Sequence, residues 1–107
     1  MIYFIGAGPG AADLITVKGK ELLEKADLII YAGSLVNPEL LNYAKPECII
    51  MDSAKMTLEE VIAAMVPAAQ AGKLVVRLHT GDPSVYGAHR EQIDLLRSYN
   101  LDFEIVP

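Results

Sequence analysis

The chain has 107 residues, enough for one domain with a modest core. Hydrophobic residues make up 52% of it and charged residues 21%, proportions ordinary for a folded globular unit that argue against disorder. A net charge of −5, with no dense run of Lys or Arg, argues against nucleic acid as a partner.

No apolar stretch approaches the ~18 residues of a membrane span, so no membrane partner is expected. Residues 2–5 open the chain as an apolar run with no basic segment before it, which does not read as a signal peptide. The single cysteine, Cys48, cannot form an internal disulfide and lies in the run Cys48-Ile49-Ile50-Met51. It is expected to be a small buried hydrophobe of a cytoplasmic protein. The sequence stops at Glu104-Ile105-Val106-Pro107, on the edge of a predicted strand, which suggests a piece of something longer.

Five apolar runs, at residues 2–5, 28–31, 48–51, 74–78 and 103–106, are near-continuous rather than alternating. That is the pattern of parallel strands buried on both faces. Helical patterns separate them, so the expected fold is α/β: a five-stranded, mainly parallel doubly wound sheet with helices on both faces. The first helix starts with Thr16 as N-cap and runs to about Ala26, with Leu22, Leu23 and Ala26 toward the sheet. Gly19 weakens it by roughly 1 kcal/mol relative to Ala. A short helix over 38–44 has Asn37 as cap and Pro38 at its first position. In the third, Thr57-Leu58-Glu59-Glu60 is a capping box, and Val61, Ile62, Met65, Val66 and Ala69 form one apolar stripe. Pro67 should kink this helix and Gly72 end it. The last helix, over about 88–99, presents Ile93, Leu96 and Tyr99, with Asn100 as a left-handed stop.

In such a sheet the strand-to-helix connections all emerge at the carboxyl ends of the strands, where ligands bind. Three of the four connections are rich in glycine: residues 6–10, Gly33-Ser34 and residues 81–87. Gly6-Ala7-Gly8-Pro9-Gly10-Ala11 satisfies the loose dinucleotide pattern. Two features oppose that reading. Pro9 lacks the N–H that a pyrophosphate would want, and the second strand closes with Tyr31-Ala32-Gly33-Ser34 instead of an acidic residue. No Walker loop occurs.

The stretch Leu78-His79-Thr80-Gly81-Asp82-Pro83-Ser84-Val85-Tyr86-Gly87-Ala88 is stiff, polar and hung off a buried strand. Asp82 could accept hydrogen bonds from a ligand or cap its own turn, and Tyr86 offers a flat face for stacking. His79 reads equally as a ligand contact or a satisfied strand-end histidine. Arg77 and Arg90 are candidates for an anionic substrate, with surface pairing favoured for Arg90. Ser34 has no paired base that would make it a nucleophile. His79 and His89 have no Cys/His cluster around them, so no metal is expected.

With these loops in order, the chain resembles the tetrapyrrole methylase family, the precorrin methyltransferases. The resemblance rests on Ile5-Gly6-Ala7-Gly8-Pro9-Gly10, Asp13-Leu14-Ile15-Thr16-Val17-Lys18-Gly19 and Gly81-Asp82-Pro83-Ser84-Val85-Tyr86-Gly87. Tyr31-Ala32-Gly33-Ser34-Leu35-Val36 and Leu78-His79-Thr80-Gly81-Asp82 are most similar to the branch that methylates precorrin-4 or cobalt-precorrin-4 at ring carbon 11. The resemblance covers essentially the whole chain. It implies S-adenosylmethionine as cofactor, contacted around Gly8, Pro9, Gly10, Gly81, Asp82, Val85 and Tyr86. It further implies a precorrin substrate, for which Ser34, His79 and Arg77 are the candidate contacts, and a homodimer. Residues 1–107 would then be the amino-terminal domain of a two-domain enzyme of cobalamin biosynthesis, inactive alone. Methyl transfer needs alignment more than acid–base groups, which agrees with the absence of a catalytic dyad or triad in the sequence. The catalytic residues stay unassigned. Other readings are a methylase of uroporphyrinogen III or another precorrin, diphthine synthase, an NAD(P)-dependent oxidoreductase, or a non-catalytic domain.

Overall fold

Five apolar runs pair into one sheet in the computed structural model, which describes residues 1–7, 15–31, 36–80 and 90–106. The strands are β1 (Ile2–Ala7), β2 (Leu28–Tyr31), β3 (Ile49–Asp52), β4 (Val75–Thr80) and β5 (Phe103–Val106), in the spatial order β3-β2-β4-β1-β5. Every pairing is parallel, and the strands start level: Ile2 stands opposite Val75 and Phe103, and Leu28 opposite Val75 and Ile49. Among the described residues the accompanying α-helices are α1 (Val17–Lys25), α2 (Leu58–Gln70) and α3 (Arg90–Ser98), with 3₁₀ segments at Pro38–Tyr43 and Ser53–Lys55.

Side chains alternate across the pleat and so divide between two cores. Ile2, Phe4, Leu28, Ile30 and Val75 meet Val61, Ile62 and Met65 of α2 and Ile93 and Leu96 of α3 on one face. Ile5, Ile29, Val76 and Leu78 meet Leu23 of α1 and Leu40 of the first 3₁₀ segment on the other. Each fully buried Ile, Leu or Phe contributes about 1.5–3 kcal/mol. Phe4 and Phe103 also meet edge to face, with ring centroids 5.9 Å apart.

The helix ends follow the local chemistry. Thr16 Oγ1 accepts from Gly19 N, and Thr57 and Glu60 exchange both bonds of a capping box. Gly72, at φ 80°, sends its N–H to Ala69 O while Lys73 N–H reaches Ala68 O. Asn100, at φ 58°, repeats the arrangement after α3, with bonds to Arg97 O and from Leu101 N to Leu96 O. Both are Schellman closures. α2 runs through Pro67 to Gln70.

Several expectations need correction. β3 is an edge strand with Ile49 55% and Ile50 41% exposed, because a two-faced parallel strand is buried only where helices cover both sides. Cys48 is accordingly half-buried rather than buried. The short helix over 38–44 is a 3₁₀ segment. Tyr99 falls at the Schellman turn and is 50% exposed, so it leaves the apolar stripe of Ile93 and Leu96. β4 continues to Thr80, which makes His79 and Thr80 strand residues rather than loop residues.

Candidate functional site

The carboxyl ends of β1 and β4 are adjacent and in register, with Gly6 opposite His79 and Ala7 opposite Thr80. From β1 and β2 the chain goes on to α1 and the first 3₁₀ segment, on one face; from β4 it goes on to α3, on the other. β4 is therefore flanked on both sides by strands whose continuations diverge from its own. Divergence of this kind opens a crevice at the carboxyl edge of an open α/β sheet. β1, β2 and β4, which lead into the glycine-rich stretches of the sequence, are neighbours in the sheet and end at that edge.

Arg77 and His79 project from β4 toward the α2/α3 face, and both are buried, at 4% and 6% exposure. Arg77 Nη1 donates to Ile30 O of β2 at 3.2 Å, and Nε donates to Gln92 Oε1 of α3 at 3.3 Å. Burial alone pushes the guanidinium down to about 10, still high enough to keep its charge at neutral pH. The side chain reaches a cavity of about 380 Å³ lined by Ser53, Met56, Leu58, Val61, Arg77, Glu91 and Gln92. The cavity lies between the amino-terminal turns of α2 and α3. Ser53 Oγ donates to Tyr31 O at 3.0 Å and ties the exits of β2 and β3 together beside it.

Of the residues singled out from the sequence, Arg77 and His79 are brought together on β4. Gly8, Pro9, Gly10, Ser34, Gly81, Asp82, Val85, Tyr86 and His89 lie outside the described residues. Arg90 is a surface residue whose Nε stands 3.9 Å from Asp94 Oδ2, the pairing favoured for it. Among the described residues no three of His, Cys, Asp or Glu come together as a metal site would need. No helix among them is long and apolar enough to cross a membrane. Sequence reasoning missed Ser53, Glu91 and Gln92, which only the crossing of α2 and α3 over β4 sets beside Arg77. No local pattern signals them.

Comparison with known proteins places the whole chain in one group. The profile of a family described as Tetrapyrrole (Corrin/Porphyrin) Methylases matches residues 1–107. A cobalt-precorrin-4 C(11)-methyltransferase of Methanocaldococcus jannaschii is 59% identical over 106 residues, which are 99% of this chain and 41% of that protein. The solved structure of a cobalt precorrin-4 methyltransferase of cobalamin biosynthesis superposes with a TM-score of 0.92 at 51% identity, covering 99% of this chain and 44% of that one. A uroporphyrin-III C-methyltransferase from Thermus thermophilus, solved in complex with S-adenosyl homocysteine, superposes at 0.78 with 33% identity, covering 99% of this chain and 43% of that one. The chain thus spans about two fifths of the length of the relatives it matches.

Proposed function

The chain belongs to the tetrapyrrole (corrin/porphyrin) methylases, and from that premise we propose that it is the amino-terminal domain of an S-adenosylmethionine-dependent C-methyltransferase. The substrate in this reading is precorrin-4 or cobalt-precorrin-4, methylated at ring carbon 11 in cobalamin biosynthesis. The observation that carries it is the pairing of Gly6 with His79 and Ala7 with Thr80, which sets side by side the ends of the two strands that lead into glycine-rich sequence. The relatives' names and the bound S-adenosyl homocysteine of the Thermus thermophilus structure support the same chemistry.

The described residues suit such a cofactor in their topology. The divergence of chain direction at β1 and β4 gives a flat ligand a cleft with backbone on two sides. Gly6, opposite His79, brings no side chain to that lip. S-adenosylmethionine, when bound, supplies a methyl group on a sulfonium that a carbon nucleophile displaces in line. The protein's part is alignment and exclusion of water, which can supply ~7–11 kcal/mol of the barrier. Gly8, Pro9, Gly10, Gly81, Asp82, Val85 and Tyr86 are assigned to the cofactor side of the cleft, and Ser34, His79 and Arg77 to the tetrapyrrole side. The reading includes a carboxyl-terminal domain closing the cleft, a homodimer, and a place in the cytoplasm.

Calorimetric titration of the full-length protein with S-adenosyl homocysteine and with NAD tests this. Binding of S-adenosyl homocysteine alone is expected, and binding of NAD alone would sink the proposal. On residues 1–107 the affinity is expected to fall at least ~10-fold, a loss of over ~1.4 kcal/mol. Asp82→Ala should weaken cofactor binding more than it lowers the melting temperature; an equal loss of both would return Asp82 to capping its turn.

A further inference from the structure

Arg77 is the one formally charged side chain that is buried among the described residues. Its two hydrogen bonds go to neutral acceptors, Ile30 O and Gln92 Oε1. The ion pairs among the described residues lie elsewhere, at Lys18–Glu104, Lys45–Asp27 and Arg90–Asp94. A guanidinium carries five donors in a planar fork, and among the described residues two of these find acceptors. Removing such a group from water costs several kcal/mol, which hydrogen bonds to two neutral acceptors offset only in part. Arg77 also borders open space, the cavity of about 380 Å³.

We propose that this cavity is a subsite for one carboxylate-bearing arm of the tetrapyrrole, with the Arg77 guanidinium receiving the carboxylate. The proposal rests on the methylase reading above and deepens it. The walls suit such an arm along its length. Met56, Leu58 and Val61 offer an apolar side for a methylene stem, while Ser53, Gln92 and Arg77 gather polar groups at its head. A planar fork matches a carboxylate in two parallel hydrogen bonds, which a point charge does not. Glu91 lines the same cavity from its exposed side, and its charge opposes the arm's carboxylate, so the guanidinium has to outweigh it. The subsite also accounts for how a chain of net charge −5 attracts a polyacid. The attraction is local, in a site of low dielectric where a single charge acts strongly.

The test uses full-length protein and measures methylation rates against tetrapyrrole concentration at saturating S-adenosylmethionine. Arg77→Met is expected to raise the KM for the tetrapyrrole about 10- to 100-fold, the scale of one charged hydrogen-bonding partner. The affinity for S-adenosyl homocysteine, measured separately, should stay within about twofold, and Arg77→Lys should recover part of the KM. Ser53→Leu, which fills the cavity from the 3₁₀ segment, should raise the KM in the same way and decides the matter if Arg77→Met does not fold. An unchanged KM in the folded variants overturns the subsite. So does a loss of cofactor affinity equal to the rise in KM, which would make Arg77 a clamp between β2, β4 and α3. Failure of the unaltered protein to bind S-adenosyl homocysteine or methylate any tetrapyrrole overturns the methylase reading instead.

Discussion

A Cβ built on Gly19 would stand 2.9 Å from Ile15 Cγ1 and 3.1 Å from Ile5 Cγ2. The first turn of α1 therefore lies against β1 at a distance that only glycine allows, which reverses the expectation that Gly19 merely weakens its helix. Gly19→Ala gains about 1 kcal/mol in helix propensity, against about 1–3 kcal/mol for overpacking. Because Ile5 is fully buried and cannot yield, we expect a net loss of roughly 1 kcal/mol. Urea denaturation measures it, and a raised midpoint would mean that Ile15 turns aside at little cost. The neighbouring motif residues have structural work as well. Thr16 caps α1, and Lys18 pairs with Glu104 of β5, which holds the pair's pKa for Lys18 above its ordinary range. A stretch that marks the family in sequence is here explained by packing, whereas Arg77 is not.

At the scale of elements, the strongest local signals describe their own ends. The capping box of α2 and the left-handed stops at Gly72 and Asn100 were legible because each is settled within about six residues. Asn100→Gly should leave stability within about 0.5 kcal/mol, whereas Asn100→Val should lose about 1–2 kcal/mol, since a β-branched side chain resists positive φ. Thermal unfolding of the two variants checks this; equal melting temperatures would show that α3 does not need its turn. Strand positions in the sheet were less legible. The runs at β2 and β3 look alike in sequence, yet β2 is central and β3 is an edge with Ile49 and Ile50 exposed. Sequence period reports what could be buried, and only neighbours decide what is.

For the whole molecule, Asp27 is a point where three strands are aligned. Its backbone bonds Leu74 O and receives Ile49 N–H, while its carboxylate accepts from Leu74 N at 2.9 Å and from Lys45 Nζ at 2.8 Å. The hydrogen bond from Lys45, then that from Leu74, holds the carboxyl below the ordinary aspartate value of 3.8. A lowered folded pKa contributes stability above the unfolded value that is lost as pH falls through the folded one. Lys45 is raised above 10.5 by the same bond, so its contribution is present below that pH and lost above it. Asp27→Asn should therefore flatten the fall of melting temperature on the acid side of about pH 4 and reduce stability at neutral pH. An acid limb as steep as that of the unaltered protein would place the titrating group elsewhere.

The α/β class, the number of strands, the helix caps and the family are all legible before any folding, because each is written in short-range patterns of residue type. Strand order, the edge position of β3 and the gathering of Arg77, Ser53 and Gln92 around one cavity come only from the packed molecule. Residues 53 and 92 are far from 77 along the chain, and nothing local records which helix will cross which strand. The crevice belongs to both. Its glycines could be read from composition, but the adjacency of the strand ends that precede them depends on β1 and β4 lying side by side while the chain leaves them toward opposite faces.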